Sequence, residues 1–365
     1  MHFTIQKEEL VSRLSFVSGV VGNHKTIAIL SHVLLIAGPD SLSLTGSDLE
    51  VEMIAQFPAT VTQGGTMAIP GRKFLDIAKA LPAKSEVTVK AEDNKIKIKA
   101  GKSRFTINVL AAEDFPNMGD IEWGHTFNID SAALENILSK TQFSMAQNDA
   151  RYYLNGIMME IMTGSIKAVA ADGHRLSLCE TAADITKDAY QIIIPRKGVT
   201  EIMRFVSGIS GDITIKTDGR HIRLEANGMS LTSKLIDGRF PDYNRVIPSS
   251  VAHAVNIPKS DILDLLRRVS VLTSDKLRSV RMSILDGAIT VSARNADNDE
   301  ATEELKIDGA TSGYESGFNV SYLIDAIESV DTDQIIFGWN NGESSTTIRP
   351  ADNTKAVCVV MPVRL

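Results

Sequence analysis

The hydrophobic pattern changes period six times along the chain. A short run of alternating apolar residues passes into a stretch where apolar residues return every three or four positions, the sign of a strand feeding a helix. The clearest case is residues 127–138 (FNIDSAALENIL): a strand end, Asp130 at a helix N-cap, then Leu134, Ile137 and Leu138 on one face. The same phrase occurs at 3–14 (FTIQKEELVSRL) and 255–266 (VNIPKSDILDLL), and related ones start at Met67, Ile192 and Phe318. Taking the third residue of each phrase as a marker gives Ile5, Ile69, Ile129, Ile194, Ile257 and Val320, at intervals of 64, 60, 65, 63 and 63 residues. Alternate markers lie 124 to 128 residues apart, so the chain reads as three domains of two halves each.

The pattern predicts helices at 7–21, 71–80, 131–141, 196–206, 259–270 and 321–330, each followed by strands. In the first domain these are 33–36, 42–45, 51–57, 87–91, 95–100 and 105–109. The second domain has 154–161, 166–170, 175–180, 213–217, 221–226 and 230–235. The third has 280–285, 288–293, 301–307, 334–339, 344–348 and 357–361. Strict alternation at 95–100 (KIKIKA) calls for one buried and one wet face, hence an antiparallel sheet covered by helices on one side only. The expected class is α+β, with three similar domains, each carrying two helices packed on antiparallel sheets. Turn-rich stretches at 114–124 and 240–253 place the domains at 1–120, 125–247 and 253–365.

Composition narrows this picture. No apolar run approaches the ~20 residues that would span a bilayer, and charge occupies the N-terminus where a signal peptide needs apolar residues. The two cysteines, Cys179 and Cys358, have neither metal nor framework spacing, which fits buried thiols in a cytoplasmic protein. A net charge of −7 argues against nucleic acid until its distribution is considered. The six predicted helices carry 12 basic and 9 acidic residues, a layer of net +3 on a remainder of −10.

Catalytic motifs are sparse. None of the seven histidines has metal-ligand spacing, and no GxSxG occurs. Residues 19–26 (GVVGNHKT) follow a helix rather than a strand and lack the contiguous Gly-Lys-Thr of a phosphate loop. Asp297, Asp299 and Glu300 read as a solvated turn. The sequence ADGHRL at 171–176 is the one polar cluster resembling a site, and a hydrolase using Asp172 and His174 is the rival reading. Neighbours two apart on a turn rarely meet, so a turn or a recognition surface fits better. The apolar C-terminus, 357–365 (VCVVMPVRL), either completes the last sheet or offers a surface to a partner peptide.

Together with the repeats, ADGHRL, RYYLNG at 151–156, SKLIDGRFPDY at 233–243, GFNVSYLIDAI at 317–327 and the terminal VMPVRL make the whole chain resemble the bacterial DNA polymerase III beta subunits, the sliding clamps. The resemblance implies a head-to-tail homodimeric ring of six similar domains, with helices around double-stranded DNA and sheets on the rim. It also implies a processivity factor with no catalytic residue, metal or cofactor. A clamp loader would open the ring, and the polymerase III alpha subunit and other proteins with clamp-binding motifs would be tethered by it. Basic helices that touch phosphates without reading bases would suit sliding.

Residue by residue, the resemblance places DNA contacts at Lys25, Arg72, Lys73, Asn148, Tyr152, Tyr153, Arg196 and Lys197. His24 stands where the family often has Arg. It places a partner-peptide pocket at Leu154, Gly173, His174, Arg175, Leu176, Pro241, Arg245, Val246, Val359, Val360, Met361, Pro362, Val363 and Arg364. Ala171 and Val363 replace a frequent Thr and Met, which shrinks the wall of that pocket. The dimer contact would set Phe105 and Ile107 against Val271 and Leu272, with Lys73 as a nearby charge partner.

Overall fold

The computed structural model describes residues 1–22, 27–185, 189–273, 278–308, 313–352 and 355–364. The predicted loop positions His24 and Lys25 lie outside the described residues. Among those described, six α-helices each follow a strand without a loop. Helix α1 (Lys7–Val17) follows His2–Gln6, α2 (Gly71–Ala80) follows Gly65–Pro70, and α3 (Ser131–Ser139) follows His125–Asp130. Helix α4 (Arg196–Val206) follows Tyr190–Pro195, α5 (Lys259–Ser270) follows His253–Pro258, and α6 (Val320–Glu328) follows Tyr314–Asn319. The first five markers are the last inward-facing residues of their strands, all buried, so each fixes the phase at which the chain turns into its helix.

The sixth marker is corrected by the structure. Val320 is the first residue of α6, and Phe318, two positions earlier, holds the equivalent buried strand position. The cause is Asn319, whose side chain accepts from the Ser321 N–H at 3.0 Å and caps the helix two residues sooner than the matching phrase at 127–129. Helix α1 stops at Val17 rather than 21 because the Ser18 and Gly19 amides close on Leu14 and Phe16 carbonyls. Helix α3 stops at Ser139, and Thr141 Oγ1 donates to the Ile137 carbonyl at 2.7 Å. Lys140, assigned to the basic helical layer, is therefore beyond α3, buried, and paired with Asp331 at 2.5 Å.

A tether recurs at the first residue of α1, α3 and α5. Lys7 Nζ donates to the Leu81 carbonyl just past α2, Ser131 Oγ to Ile209 just past α4, and Lys259 Nζ to Glu328 and Val330 at the end of α6. The backbone amides of the same three residues donate to Ser85, Gly211 and Asp333. Each satisfies carbonyls at or just beyond a helix C-terminus, where positive charge is also favoured.

Contacts divide the chain into two compact units, residues 1–132 with 197–235 and residues 133–196 with 236–365. In the first, one sheet has the order Thr60–Gln63, His2–Gln6, Glu86–Glu92, Lys95–Ala100, Ser103–Asn108. The other has eight strands: His125–Asp130, Asp212–Thr217, His221–Ala226, Met229–Lys234, Val51–Pro58, Ser41–Ser47, His32–Ala37 and Gly65–Pro70. In the second unit an eight-stranded sheet runs Tyr190–Pro195, Gly156–Met162, Ser165–Ala171, Arg175–Ala182, Ala356–Val360, Thr346–Pro350, Gln334–Trp339, His253–Pro258. A four-stranded sheet runs Glu300–Lys306, Ala288–Arg294, Ser279–Leu285, Tyr314–Asn319.

Every pairing within these sheets is antiparallel, and Lys95–Ala100 alternates exposed lysines with buried Ile96, Ile98 and Ala100 as its sequence requires. The sheets do not stop where the repeats do. The third strand after the helix of the first half-repeat, Val51–Pro58, pairs with the third strand after the helix of the fourth, Met229–Lys234. Arg175–Ala182 from the third half pairs in the same way with Ala356–Val360 from the sixth. The corresponding strands of the second and fifth halves, Ser103–Asn108 and Glu300–Lys306, are left as sheet edges.

Candidate peptide pocket and nucleic-acid faces

The joint between Arg175–Ala182 and Ala356–Val360 brings together residues of the predicted pocket. Its register sets Leu176 opposite Val359 and Arg175 opposite Val360. Leu176, Val359 and Leu154 are buried in one apolar cluster with Phe240 and Tyr243, and half-buried Val246 packs against it. Met361, Pro362 and Val363 are partly exposed above, held by Met361 N–H to His174 O at 2.8 Å and Val363 N–H to Gly317 O at 2.9 Å. Exposed Gly173, His174, Pro241, Arg245 and Arg364 make the rim. Val360 is a correction: strand alternation points it with Cys358 into the separate core formed by α5, α6 and their sheets, so its side chain does not line the pocket. The apolar floor and polar rim suit a short extended segment with apolar anchors.

Polar side chains fix that rim. Asp172 Oδ1 accepts from the backbone N–H groups of His174 and Arg175, and its Oδ2 accepts from Arg175 Nε at 3.1 Å. Arg175 also donates to Asp325 at 2.5 Å and the Phe143 carbonyl at 2.6 Å, with its guanidinium 4.4 Å from the Tyr322 ring centroid. Both Asp172 oxygens are thus committed to the turn and Arg175, while the His174 ring stacks on Tyr322. That arrangement serves a recognition surface rather than an Asp–His relay.

At Gly173, φ is +93°, a conformation that strains any residue with a Cβ, and an added Cβ would also displace the Arg151 guanidinium, so the turn favours glycine. Arg151 is pinned by Asp149, whose carboxyl is lowered to about 2 by the Arg151 side-chain and backbone hydrogen bonds. Below the floor, Tyr243 Oη donates to Glu160 at 2.7 Å, and burial followed by this carboxylate pushes the phenol pKa up.

The predicted DNA contacts fare unevenly. Arg72 and Lys73 are exposed on the first turn of α2, whose opposite face buries Phe74, Leu75 and Ala78; among the described residues neither cation has an ion-pair partner. Asn148 is exposed at φ +55°, and Tyr152 is exposed edge-on to half-buried Tyr153. Arg196 is committed elsewhere: it donates to the Met145 and Ala146 carbonyls at 2.6 and 3.1 Å, and burial and then Arg175 lower its pKa. Lys197 is ion-paired with Asp48. Arg267 and Arg268 are paired with Glu328 and Glu303, so among the described residues the exposed, unpaired basic charge carried by the helices narrows to α2.

Of the predicted interface residues, Phe105 and buried Ile107 lie on the edge strand Ser103–Asn108, and Lys73 is exposed. Leu272 is half-buried after α5, and Val271 is 77% exposed, more than any other large hydrophobic among the described residues. Sequence reasoning predicted a strand at 301–307 but named no residue of the edge strand Glu300–Lys306 (EATEELK) among the interface candidates. Its regular alternation of exposed and half-buried residues and its acidic face were the available signals.

Three α+β repeats sharing sheets, with an apolar pocket beside the C-terminus, define a three-domain clamp fold. Family profiles described as the N-terminal, central and C-terminal domains of the DNA polymerase III beta subunit match residues 1–119, 128–242 and 244–364. The beta sliding clamp of Pseudomonas aeruginosa is 39% identical over the full length of both chains, and that of Escherichia coli K12 is 36% identical, also end to end. A crystal structure of the P. aeruginosa DnaN sliding clamp bound to griselimycin has a TM-score of 0.97 at 39% identity, covering all of both chains. The chain belongs to the DNA polymerase III beta subunit family, the beta sliding clamps.

Proposed function

We propose that two copies of this chain close head to tail around duplex DNA as a cytoplasmic, non-catalytic processivity clamp. A clamp loader opens it, and it tethers the polymerase III alpha subunit and other motif-bearing proteins through the pocket. The domain limits are 1–120, 125–247 and 253–365.

The observation that carries the reading is the pattern of sheet joints. Within one chain, the third strands after the helices pair twice between half-repeats, and the two left over are Ser103–Asn108 and Glu300–Lys306. Unpaired edges invite pairing. Joining the first of one protomer to the second of its partner repeats the same antiparallel contact, and a heterologous contact made twice closes a two-subunit ring. Charge favours it, since exposed Arg104 on one edge would meet the face of the other edge that carries exposed Glu300 and Glu304. Val271 and Leu272 would add apolar contact.

Topological tethering makes strong DNA binding unnecessary, which fits an acidic chain whose helices keep exposed, unpaired basic charge mainly on α2 among the described residues. Clamps loaded on a nicked circular plasmid should remain bound, then run off once the plasmid is cut. Equal retention on circle and linear DNA would refute the ring. Reversal of the α2 charges, Arg72→Glu with Lys73→Glu, should lower processive synthesis about tenfold and flatten the salt dependence of DNA association by up to about four phosphate contacts, two per protomer. A primer-extension assay across a salt series checks this, and an unchanged slope would remove α2 from the DNA face.

A further inference from the structure

Lys197 sits in the first turn of α4 beside two buried carboxyl groups. Asp48 has a side chain only 1% exposed, and its Oδ2 is met by Lys197 Nζ. Its other oxygen is already used: Oδ1 accepts from the Glu50 N–H at 2.9 Å and the Val51 N–H at 2.8 Å, forming the turn that starts the joint strand Val51–Pro58. Asp48 is thereby locked in place by backbone before it meets the lysine. One turn further along α4, Glu201 is 5% exposed and pairs with Arg204 at 2.8 Å, while its second oxygen lies 3.0 Å from where a Gly19 Cβ would be. The Lys197 side chain is 51% exposed, so it remains within reach of an outside anion.

We infer that Asp48 is a positioning residue that holds Lys197 against the protein and limits its grip on a DNA phosphate. The inference rests on the DNA-encircling reading above. A phosphate that engages Lys197 must compete with a carboxylate that cannot move away. An exposed lysine neutralises a phosphate nearly fully, whereas a lysine shared with a fixed, buried anion does so only in part. Because one strong contact at each phosphate would retard translation along the duplex, Asp48 acts as a governor: it keeps a charge available for steering while withholding a firm hold.

Asp48→Asn is the test, because the amide oxygen can still accept from Glu50 and Val51 while the charge on Oδ2 is gone. Asp48→Ser, which can also cap that turn, serves if the asparagine variant folds poorly. One-dimensional diffusion of loaded, labelled clamps on stretched duplex DNA is measured between about 50 and 200 mM salt. The Asp48→Asn clamp should slide about two- to fivefold more slowly at the low end, converging with the unmodified clamp at high salt. Lys197→Ala should slide slightly faster, and the double variant should match Lys197→Ala. A merely structural role for Asp48 would give a change that persists without Lys197 and does not depend on salt. Sliding unaltered by Asp48→Asn, or slowing retained in the double variant, would overturn the inference. If Arg72→Glu with Lys73→Glu alters sliding while Asp48→Asn does not, only this inference falls. If clamps also leave circular DNA as readily as linear DNA, the encircling reading falls with it.

Discussion

Arg175→Ala should destabilise the protein by about 3 kcal/mol and weaken partner-peptide binding at least tenfold. Its side chain is 12% exposed and holds Asp172, Asp325 and the Phe143 carbonyl at once, with Tyr322 and Phe143 rings over its guanidinium. Removing it leaves Oδ2 of the half-buried Asp172 carboxylate without its guanidinium partner, leaves the Phe143 carbonyl without that donor and loosens the turn that carries Gly173 and His174. The stability loss is set at the lower end of that for breaking a buried pair, because Asp325 is 38% exposed and regains water. Arg175→Lys should recover little, since an ammonium cannot reproduce the planar fork that reaches three acceptors. Thermal unfolding and fluorescence titration with a peptide carrying Leu and Phe anchors measure the two effects. A variant of wild-type melting temperature and peptide affinity would show that Arg175 does not hold the pocket.

Val271→Glu should convert the proposed dimer to monomers, raising its dissociation constant about a hundredfold or more. Val271 is a large apolar side chain left 77% exposed directly after α5, beside half-buried Leu272. A buried glutamate there would lose its hydration without a partner. Its cost to the folded protomer should be small, because the position makes little use of the protomer's own core. Sedimentation equilibrium reads the association and thermal melting reads the fold. An unchanged dimer would place the interface elsewhere than the α5 end, and a collapsed melting temperature would mean that Val271 is core after all.

Much of this fold could be read from periodicity. The bounds of α4 and α5, the sheet phase of KIKIKA and five of the six strand-to-helix transitions follow from where apolar residues fall. Asn319 defeated the sixth because a cap acts through one hydrogen bond that periodicity does not register. Sheet joints were illegible for a different reason: two strands separated by about 180 residues carry no local signal of each other. The pocket's residue types could be recognised by resemblance, but the sidedness of Val360 required the register with Arg175. Charge counting on helices overstated the basic layer, because Lys140, Arg196 and Lys197 find partners that only the folded chain brings to them.

The joints also separate two meanings of the word domain. A central repeat cut out at its own boundaries would keep both its helices yet expose two long strand edges, Arg175–Ala182 and Met229–Lys234, each built to be covered by a neighbour. The piece of chain that recurs in the sequence is therefore not the piece that can stand alone in water. Copying a repeat multiplies unfinished sheets, and only their mutual completion covers the two strand edges that each central copy would leave bare.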